Sequence, residues 1–503
     1  MLFLWQRRPR GLRLSSAVLL LMLGACATVQ QPHMAHLQAA DAEVRECAQW
    51  FLDTDAAVAA AGVRDHEAAR VPGFPYLRST RFLAGLGAEA AVDDKLRSAW
   101  LELMRAADLR ARDAELRNLP TGTASNVPLA MVQRCGETLL RKDRDDPIVI
   151  AALPERARVP DAYEDWQRVA GLYALTRIPF GSGVAQWHDE ARAMFERSRS
   201  GAATAHPVER YVPPAASRYT RRQVAQLLAQ AATAPFGLPQ LSAAEEARLF
   251  STYAPVFEVE TTGAYDRPGA LQWRSEEHPT VNPVQPVVYP RMTYARYRGR
   301  TLVQLVYTMW FGERPADHAV DILAGKLDGL VWRVTVGPDG RPLLFDTMHP
   351  CGCFHMFLPT PAAKALPAPE PGDEWVFIPA TFPQVKEGQR VRLRLATRSH
   401  YLVDASVEAD GSGTGHAYDF LDEAQLRSLP LPEGGFRSIY GPDALVPGSE
   451  RLERFLFWPM GIPSAGAMRQ WGNHATAFLG KRHFDDADLV EQRFRLNLNL
   501  KVD

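Results

Sequence analysis

The spacing of apolar residues changes along the chain and divides it into two regions of different predicted structure. Between residues 41 and 235, apolar side chains recur every three or four positions, as in AEVRECAQWFLDTDAAVAAAG and YTRRQVAQLLAQAATA. Ala, Leu, Glu and Arg dominate these segments, and clusters such as RVPGFPYLRS separate them. The pattern predicts a helical domain over 41–235.

From residue 236 onward, β-branched and aromatic residues become frequent and the apolar positions alternate with polar ones. TLVQLVYTMWF predicts a buried strand, LVWRVTVGPDGRPLLFD a hairpin with its turn at GPDG, and VRLRLATRS and HYLVDASVE two further strands. Residues 494–502 place apolar side chains on one face only, as a half-buried strand does. We therefore predict an α+β fold, with a helical N-terminal domain followed by a mainly antiparallel, β-rich C-terminal domain over 236–503.

The first residues follow a third pattern, that of an exported leader. Four arginines precede a short apolar run, which ends in Leu-Gly-Ala-Cys at Cys26. This ending resembles a bacterial lipoprotein box, and the resemblance implies a signal peptide over 1–25, lipid on the Cys26 sulfur and a tether over 26–40. Since Ala27 rather than Asp follows the cysteine, the resemblance also implies the periplasmic face of the outer membrane.

Composition is that of a folded chain and gives no sign of a nucleic-acid partner. The 503 residues are 46% hydrophobic and 23% charged, and this length favours two or three domains. The formal net charge is −1, whereas nucleic-acid binding usually requires a basic face. We expect the protein to contact the membrane through its lipid anchor and to have no nucleic-acid partner.

Four cysteines remain once Cys26 is assigned to the anchor. Cys47 and Cys135 both lie in predicted helices of the N-terminal region, and disulfides persist in an oxidising envelope. We predict a Cys47–Cys135 disulfide. The alternative is two buried free thiols that pack as small apolar groups.

The other two cysteines lie in a run that alternates with histidines. Residues 346–357 read DTMHPCGCFHMF, which places His349, Cys351, Cys353 and His355 at every second position. Thiolate and imidazole are ligands of zinc, copper and iron. The four residues are therefore a candidate transition-metal site.

Geometry limits this prediction. In a straight strand His349 and His355 would be about 20 Å apart, whereas the ligand atoms of a zinc ion lie about 2.0–2.3 Å from the metal. A common site requires a curled backbone, which Pro350 and Gly352 favour. Two alternatives stay open: a short Cys351–Cys353 disulfide, and thiols and imidazoles that only pack or form hydrogen bonds.

Three nearby residues are candidates for a supporting role in such a site. Asp346 precedes His349 by three residues and is suited to orient a histidine. Glu313 and His318 follow a predicted strand, and Glu313 could act as a base or a ligand. A turn-capping role for Asp346 and a salt bridge to arginine for Glu313 are the structural alternatives.

These observations lead to two functional hypotheses. In the first, a lipid-anchored envelope protein uses its transition-metal site as a metal-dependent hydrolase or a redox enzyme. In the second, a non-enzymatic envelope lipoprotein binds a partner or an envelope polymer, with Cys351 and Cys353 joined as a disulfide. The sequence contains no nucleophile elbow, dinucleotide fingerprint or phosphate-binding loop to suggest another chemistry.

Overall fold

A computed structural model describes residues 34–120, 129–201, 204–274, 277–369 and 372–498. The predicted lipid attachment at Cys26 lies outside these residues.

Helices dominate the N-terminal part of the described chain and recur at a few places in its C-terminal part. They are α1 (Met34–Leu37), α2 (Ala42–Ala61), α3 (Arg81–Gly85), α4 (Gly87–Val92), α5 (Asp94–Arg117), α6 (Leu129–Arg144), α7 (Pro147–Arg156), α8 (Asp165–Ala170), α9 (Tyr173–Arg199), α10 (Arg221–Ala231), α11 (Ala243–Tyr253), α12 (Glu453–Phe457) and α13 (Leu489–Arg493).

Strands dominate the C-terminal part, and two short strands lie among the N-terminal helices. They are β1 (Ala69–Val71), β2 (Phe74–Ser79), β3 (Val208–Val212), β4 (Val256–Glu260), β5 (Ala270–Trp273), β6 (Pro279–Asn282), β7 (Val287–Tyr297), β8 (Arg300–Arg314), β9 (Gly325–Val336), β10 (Pro342–Met348), β11 (Met356–Pro359), β12 (Ala363–Ala365), β13 (Gln389–Leu395), β14 (Leu402–Ala409), β15 (His416–Ala417), β16 (Asp419–Phe420), β17 (Leu429–Pro430), β18 (Phe436–Arg437) and β19 (Phe494–Leu496).

The N-terminal helices enclose a core of their own. Helix α2 begins after Asp41, whose side chain accepts a hydrogen bond from the backbone of Glu43, and ends at Gly62 in the left-handed conformation. Helices α2, α5 and α6 pack around the β1–β2 hairpin, with Phe51 and Trp100 among the buried residues. The sequence pattern did not predict this hairpin.

Two sheets build the C-terminal part and share one apolar core. The six-stranded sheet has the order β11-β10-β9-β8-β7-β16 and the five-stranded sheet the order β14-β13-β4-β3-β15. Pairing is antiparallel except at β7–β16, β4–β13 and β3–β15. Helix α9 packs beside β14 and adds Ala191 and Phe195 to the shared core.

The predicted α+β class is confirmed, as are the main predicted strands. TLVQLVYTMWF lies in β8, and the predicted hairpin is β9–β10, closed by a hydrogen bond from the Gly337 backbone to Arg341. Gly340 in this turn has φ +77°, which favours glycine. The predicted terminal strand is shorter, since β19 covers only Phe494–Leu496 and residues 499–503 lie outside the description.

Candidate functional site

The cysteine–histidine run follows directly on β10 and folds into a tight turn. The His349 backbone donates to the Cys353 carbonyl at 3.0 Å, and the Gly352 backbone donates to the His349 carbonyl at 2.8 Å. Gly352 has φ +93°, and a Cβ there would lie 2.5 Å from the Ala475 carbonyl oxygen. Only glycine fits this turn, which curls where the sequence placed Pro350 and Gly352.

The curl does not bring the four predicted ligands together. His349 Nδ1 lies 2.9 Å from an Asp328 carboxylate oxygen on β9, whereas His355 Nε2 lies 3.0 Å from Asp346 on β10. Each imidazole is held by a different carboxylate. Across the described residues, no group of three His, Cys, Asp or Glu side chains is arranged to hold a metal ion.

Asp328 is the centre of a buried polar chain. Besides His349, it binds His400 Nδ1 at 3.0 Å, and the other nitrogen of His400 lies 3.4 Å from Asp266. Burial alone would raise the Asp328 pKa, but His349 and Arg451 lower it well below its usual range. Asp328 is therefore a fixed negative charge that orients both histidines.

The two thiols of the run are free and adjacent. Cys351 is buried, and its sulfur accepts a hydrogen bond from the Cys353 backbone at 3.4 Å. Burial would raise the Cys351 pKa, yet the Cys353 thiol and the charge of Arg451 lower it; the hydrogen bond to Cys351 raises the pKa of Cys353 well above normal. The Cys351–Cys353 disulfide considered from the sequence is not formed in this structure.

The predicted supporting residues take different positions. Asp346 binds His355 and Arg333 rather than His349, which is nearer in sequence. Glu313 is exposed near the end of β8, opposite Lys326, and His318 is exposed in the following loop. Of these residues only Asp346 orients a histidine of the run.

In the N-terminal core, the two cysteines of α2 and α6 are bonded. The sulfur atoms of Cys47 and Cys135 are 2.08 Å apart, which is the pairing that the sequence favoured.

A cavity of about 710 Å³ opens beside the cysteine–histidine turn. Its walls are mainly aromatic and aliphatic and come from α9, from the turn itself, from residues 374–377 and 475–478, and from α12. The ring centroids of Phe457 lie 5.3 Å from Phe180 and 4.9 Å from Phe478, while Trp187 contacts Phe377 at 5.2 Å. A volume and lining of this kind are typical of small-molecule sites.

The polar side chains that line the cavity include Cys353, Arg314, Tyr401 and Glu453, along with His188, Glu190, Glu374, Thr476 and Arg482. Arg314 is only 7% exposed, its Nη1 has no hydrogen-bond partner, and its guanidinium lies 4.9 Å from the centre of the Tyr401 ring. A buried guanidinium nitrogen without a partner is costly, because the group stays charged. Its position in a cavity wall makes it available to a ligand.

Glu453 is the second unusual group in this wall. It is 2% exposed, and no cation of the described chain lies within ion-pair distance of its carboxylate. Burial raises the pKa of Glu453 to about 7, against the opposing charges of Arg451 and Arg314. At neutral pH this carboxyl is therefore a mixture of both protonation states, as a proton-transfer group requires.

His355 also lines the cavity and is neutral. Burial lowers its pKa to about 3, although the hydrogen bond to Asp346 opposes that shift. With Nε2 held by Asp346, its Nδ1 has no hydrogen-bond partner. The cavity wall thus contains an unprotonated imidazole beside a thiol, a carboxyl and a guanidinium.

Arg314, Tyr401 and Glu453 were not identified from the sequence. Arg314 and Glu453 lie 139 positions apart in a single chain, on β8 and α12, and nothing in the local pattern of either connects them. The only local signal is the sequence RLERFLFWPM, in which a single Glu between two arginines precedes an apolar run.

Comparisons with known proteins supply no further constraint. No protein-family model, curated protein or solved structure matches this chain. Function is therefore argued from the cavity and its lining.

Proposed function

We propose that the protein is a lipid-anchored envelope protein that binds an amphiphile, with the apolar chain of the ligand in the cavity and its anionic head group at Arg314. The observation that carries the proposal is the mainly apolar cavity of about 710 Å³, whose lining includes a buried, partly unpaired guanidinium. The anchor at Cys26 would place the protein where such ligands are abundant.

The aromatic walls favour a flexible hydrocarbon chain. Phe180, Phe457 and Phe478 form one cluster and Trp187 and Phe377 another, and both line the cavity. Removing apolar surface from water yields about 25 cal/mol per Å². An acyl chain would gain this energy without requiring hydrogen bonds.

The charges near Arg314 favour an anionic head group. Arg314, Arg451 and Arg469 all act electrostatically on this end of the cavity, against the ionised Asp328 and the half-ionised Glu453. Guanidinium groups pair well with carboxylate and phosphate oxygens. Nη1 of Arg314 supplies a donor that the protein itself leaves unused.

Protection of Cys353 from alkylation tests the proposal. Cys353 lines the cavity, whereas Cys351 is buried and Cys47 and Cys135 are bonded to each other. We expect palmitate or lysophosphatidylglycerol to slow the reaction of Cys353 with N-ethylmaleimide several-fold, as followed by peptide mass spectrometry. Calorimetric titration of the same ligands provides a direct measurement of binding.

Matched arginine variants separate the head group from the chain. Arg314→Met should weaken the binding of palmitate about tenfold or more, since a hydrogen bond to a charged group is worth about 1.5–3 kcal/mol. Arg222→Met, at an exposed position of α10, should leave binding unchanged. Equal affinity in both variants, or no heat and no protection with the unaltered protein, would refute the proposal.

A second candidate function is chemistry on the bound ligand, favoured by the Glu453 carboxyl with its pKa of about 7 in the same wall as Cys353. Glu453 would accept the proton of the thiol as its sulfur attacks an ester or thioester carbonyl, and the released alcohol or thiol would take that proton. Incubation with acyl esters should then leave an acylated Cys353 in the unaltered protein and none in Glu453→Gln. Absence of acylation in both would leave binding as the function.

A further inference from the structure

The segment from Trp166 to Gln186, in α8 and the first half of α9, exposes many apolar side chains and little charge. Five of its large apolar side chains are between 61% and 77% exposed: Trp166, Val169, Leu172, Leu175 and Ile178. Asp165, at the start of α8, is an exposed charge beside it. A globular protein rarely exposes so many large apolar side chains in one place unless they bind something.

Both charged residues of this segment are bonded to other parts of the protein. Arg168 donates to the carbonyls of Met460 at 2.8 Å and Gly480 at 2.6 Å. Arg177 binds the Gly372 carbonyl and the Asp373 carboxylate, each at 2.7 Å. Both guanidiniums thus serve to attach the two helices to the body of the protein.

Helix α12 extends the same surface. Leu452, Phe455 and Leu456 are 53%, 65% and 55% exposed, and the 3₁₀ turn that follows them, at Trp458–Met460, packs against both α8 and α9. We call the eight exposed residues of these three helices and their flanks the apolar rim: Trp166, Val169, Leu172, Leu175, Ile178, Leu452, Phe455 and Leu456.

The apolar rim is continuous with the cavity. Leu456 belongs to both, and Pro179 and Phe180, which follow Ile178 directly, line the cavity. Phe180 and Phe457 are in ring contact at 5.3 Å. A hydrocarbon chain leaving the cavity on this side would meet mainly apolar side chains, with Arg454 beside Phe455 as a charged neighbour.

We propose that the apolar rim inserts into the surface of a phospholipid bilayer, so that the cavity exchanges its ligand directly with the membrane. Tryptophan, phenylalanine and leucine on short helices are typical of segments that lie in the interface between head groups and acyl chains. No helix of the described residues is long and apolar enough to cross a bilayer. The rim would therefore lie on the membrane rather than span it.

The reach of the proposed anchor agrees with a bilayer as the occupant. Met34, where α1 begins, lies eight positions after Cys26, and a fully extended chain of this length spans about 28 Å. Lipid on Cys26 would hold the body within that distance of the bilayer. A soluble partner protein would account for the exposed residues, but not for their continuity with an apolar cavity.

Vesicle binding tests the proposal on the full chain carrying Cys26→Ser, which removes the acylated sulfur. In vesicles of phosphatidylethanolamine and phosphatidylglycerol, we expect brominated acyl chains to quench tryptophan fluorescence, and Trp166→Phe to lose part of this quenching. Leu172→Asp/Leu175→Asp should lower vesicle partitioning at least tenfold, since each change replaces a side chain that gains from leaving water by a charged one that does not.

Val92→Asp/Ile148→Asp is the matched control. These two residues are 87% and 80% exposed and lie in α4 and α7, away from the rim, so the same change of charge should leave partitioning unaltered. All variants share one N-terminus, and their differences therefore report on the rim alone. Equal partitioning of the two pairs, or equal quenching with and without Trp166, would overturn the proposal.

Sedimentation and ligand-binding measurements distinguish the bilayer from a second copy of the chain as the occupant of the apolar rim. A dimer in analytical ultracentrifugation without vesicles, dissociated by Leu172→Asp/Leu175→Asp, would assign the rim to a second copy of the chain instead. This proposal rests on the proposed ligand binding only in the role it gives to the membrane contact, which is exchange of the ligand. The two are tested separately, because protection of Cys353 is measured without vesicles. Loss of ligand binding with intact vesicle binding would refute the first proposal and leave this one standing.

Discussion

The helical region and the cavity region both bury charges and cysteines, but they differ in how completely one buried arginine and one cysteine pair of each are bonded. Arg78 uses Nε, Nη1 and Nη2 on Asp108, the Asp65 carbonyl and Glu115, all buried. In the cavity wall, Arg314 leaves Nη1 without a partner. The helical region also joins its two cysteines, whereas Cys351 and Cys353 are free.

This difference in hydrogen bonding distinguishes a network that stabilises the fold from a site that can bind a ligand. A buried charge with complete hydrogen bonding fixes the surrounding structure, and it has no donor left for a ligand. A buried group in a cavity wall that has an unpaired donor or acceptor lowers the stability of the fold, unless a ligand or a water molecule supplies the missing hydrogen bond. Unpaired groups next to an apolar cavity are therefore the better guide to function in this chain.

Removal of one arginine from each region should give the largest contrast. Arg112 binds Asp108, Asp55 and the Pro75 carbonyl, so Arg112→Met takes one of two arginine partners from each of these buried carboxylates. We expect a loss of about 3–5 kcal/mol in the free energy of unfolding, against less than about 1 kcal/mol for Arg314→Met. Urea unfolding followed by circular dichroism measures both; equal losses would contradict the contrast.

The cysteines should show the same contrast with a smaller effect. The Cys47–Cys135 bond closes a loop with a sequence separation of 88. Cys47→Ala/Cys135→Ala should therefore cost about 2–4 kcal/mol, because the unfolded chain gains freedom. Cys353→Ala removes an unbonded thiol and should change the unfolding midpoint little. An unfolding midpoint that is unchanged in the double variant would show that the disulfide does not contribute to stability.

The pH dependence of Glu453 sharpens the comparison further. Its pKa rises from 4.5 in the unfolded chain to about 7 in the folded protein, so the folded state binds the proton more tightly. Stability from this group is complete below pH 4.5 and is lost as the pH rises to 7, by at most about 3 kcal/mol. Glu453→Gln should stabilise the protein at pH 8 and have little effect at pH 5. Thermal unfolding at both values tests this, and a gain that is the same at both would be inconsistent with it.

Local patterns were sufficient to predict the framework of the fold. Alternation identified β8, and the residues GPDG identified the β9–β10 turn, because both depend on neighbours in the sequence. The curl at Pro350 and Gly352 was predictable for the same reason. Position 352 must be glycine because the Ala475 carbonyl lies too close for a Cβ. No local sequence pattern indicates this distant contact.

The chemistry of the site was less predictable because its partners are distant in sequence. His349 and Asp328 are 21 positions apart, and His400 and Asp328 are 72 positions apart. Asp328 and Asp346 hold the imidazoles that the sequence assigned to a metal. The apolar rim had a readable signal, since Trp166–Gln186 contains only Arg168 and Arg177 as charged residues, yet periodicity alone made this stretch resemble an ordinary helix.

At the contact between Gly352 and the Ala475 carbonyl, two segments that are distant in sequence pack together to form part of the cavity wall. A single methyl group at position 352 would need the space that the Ala475 oxygen occupies. The shape available to a ligand is thus set where two backbones touch, and one added carbon atom there would displace the chain that forms the wall.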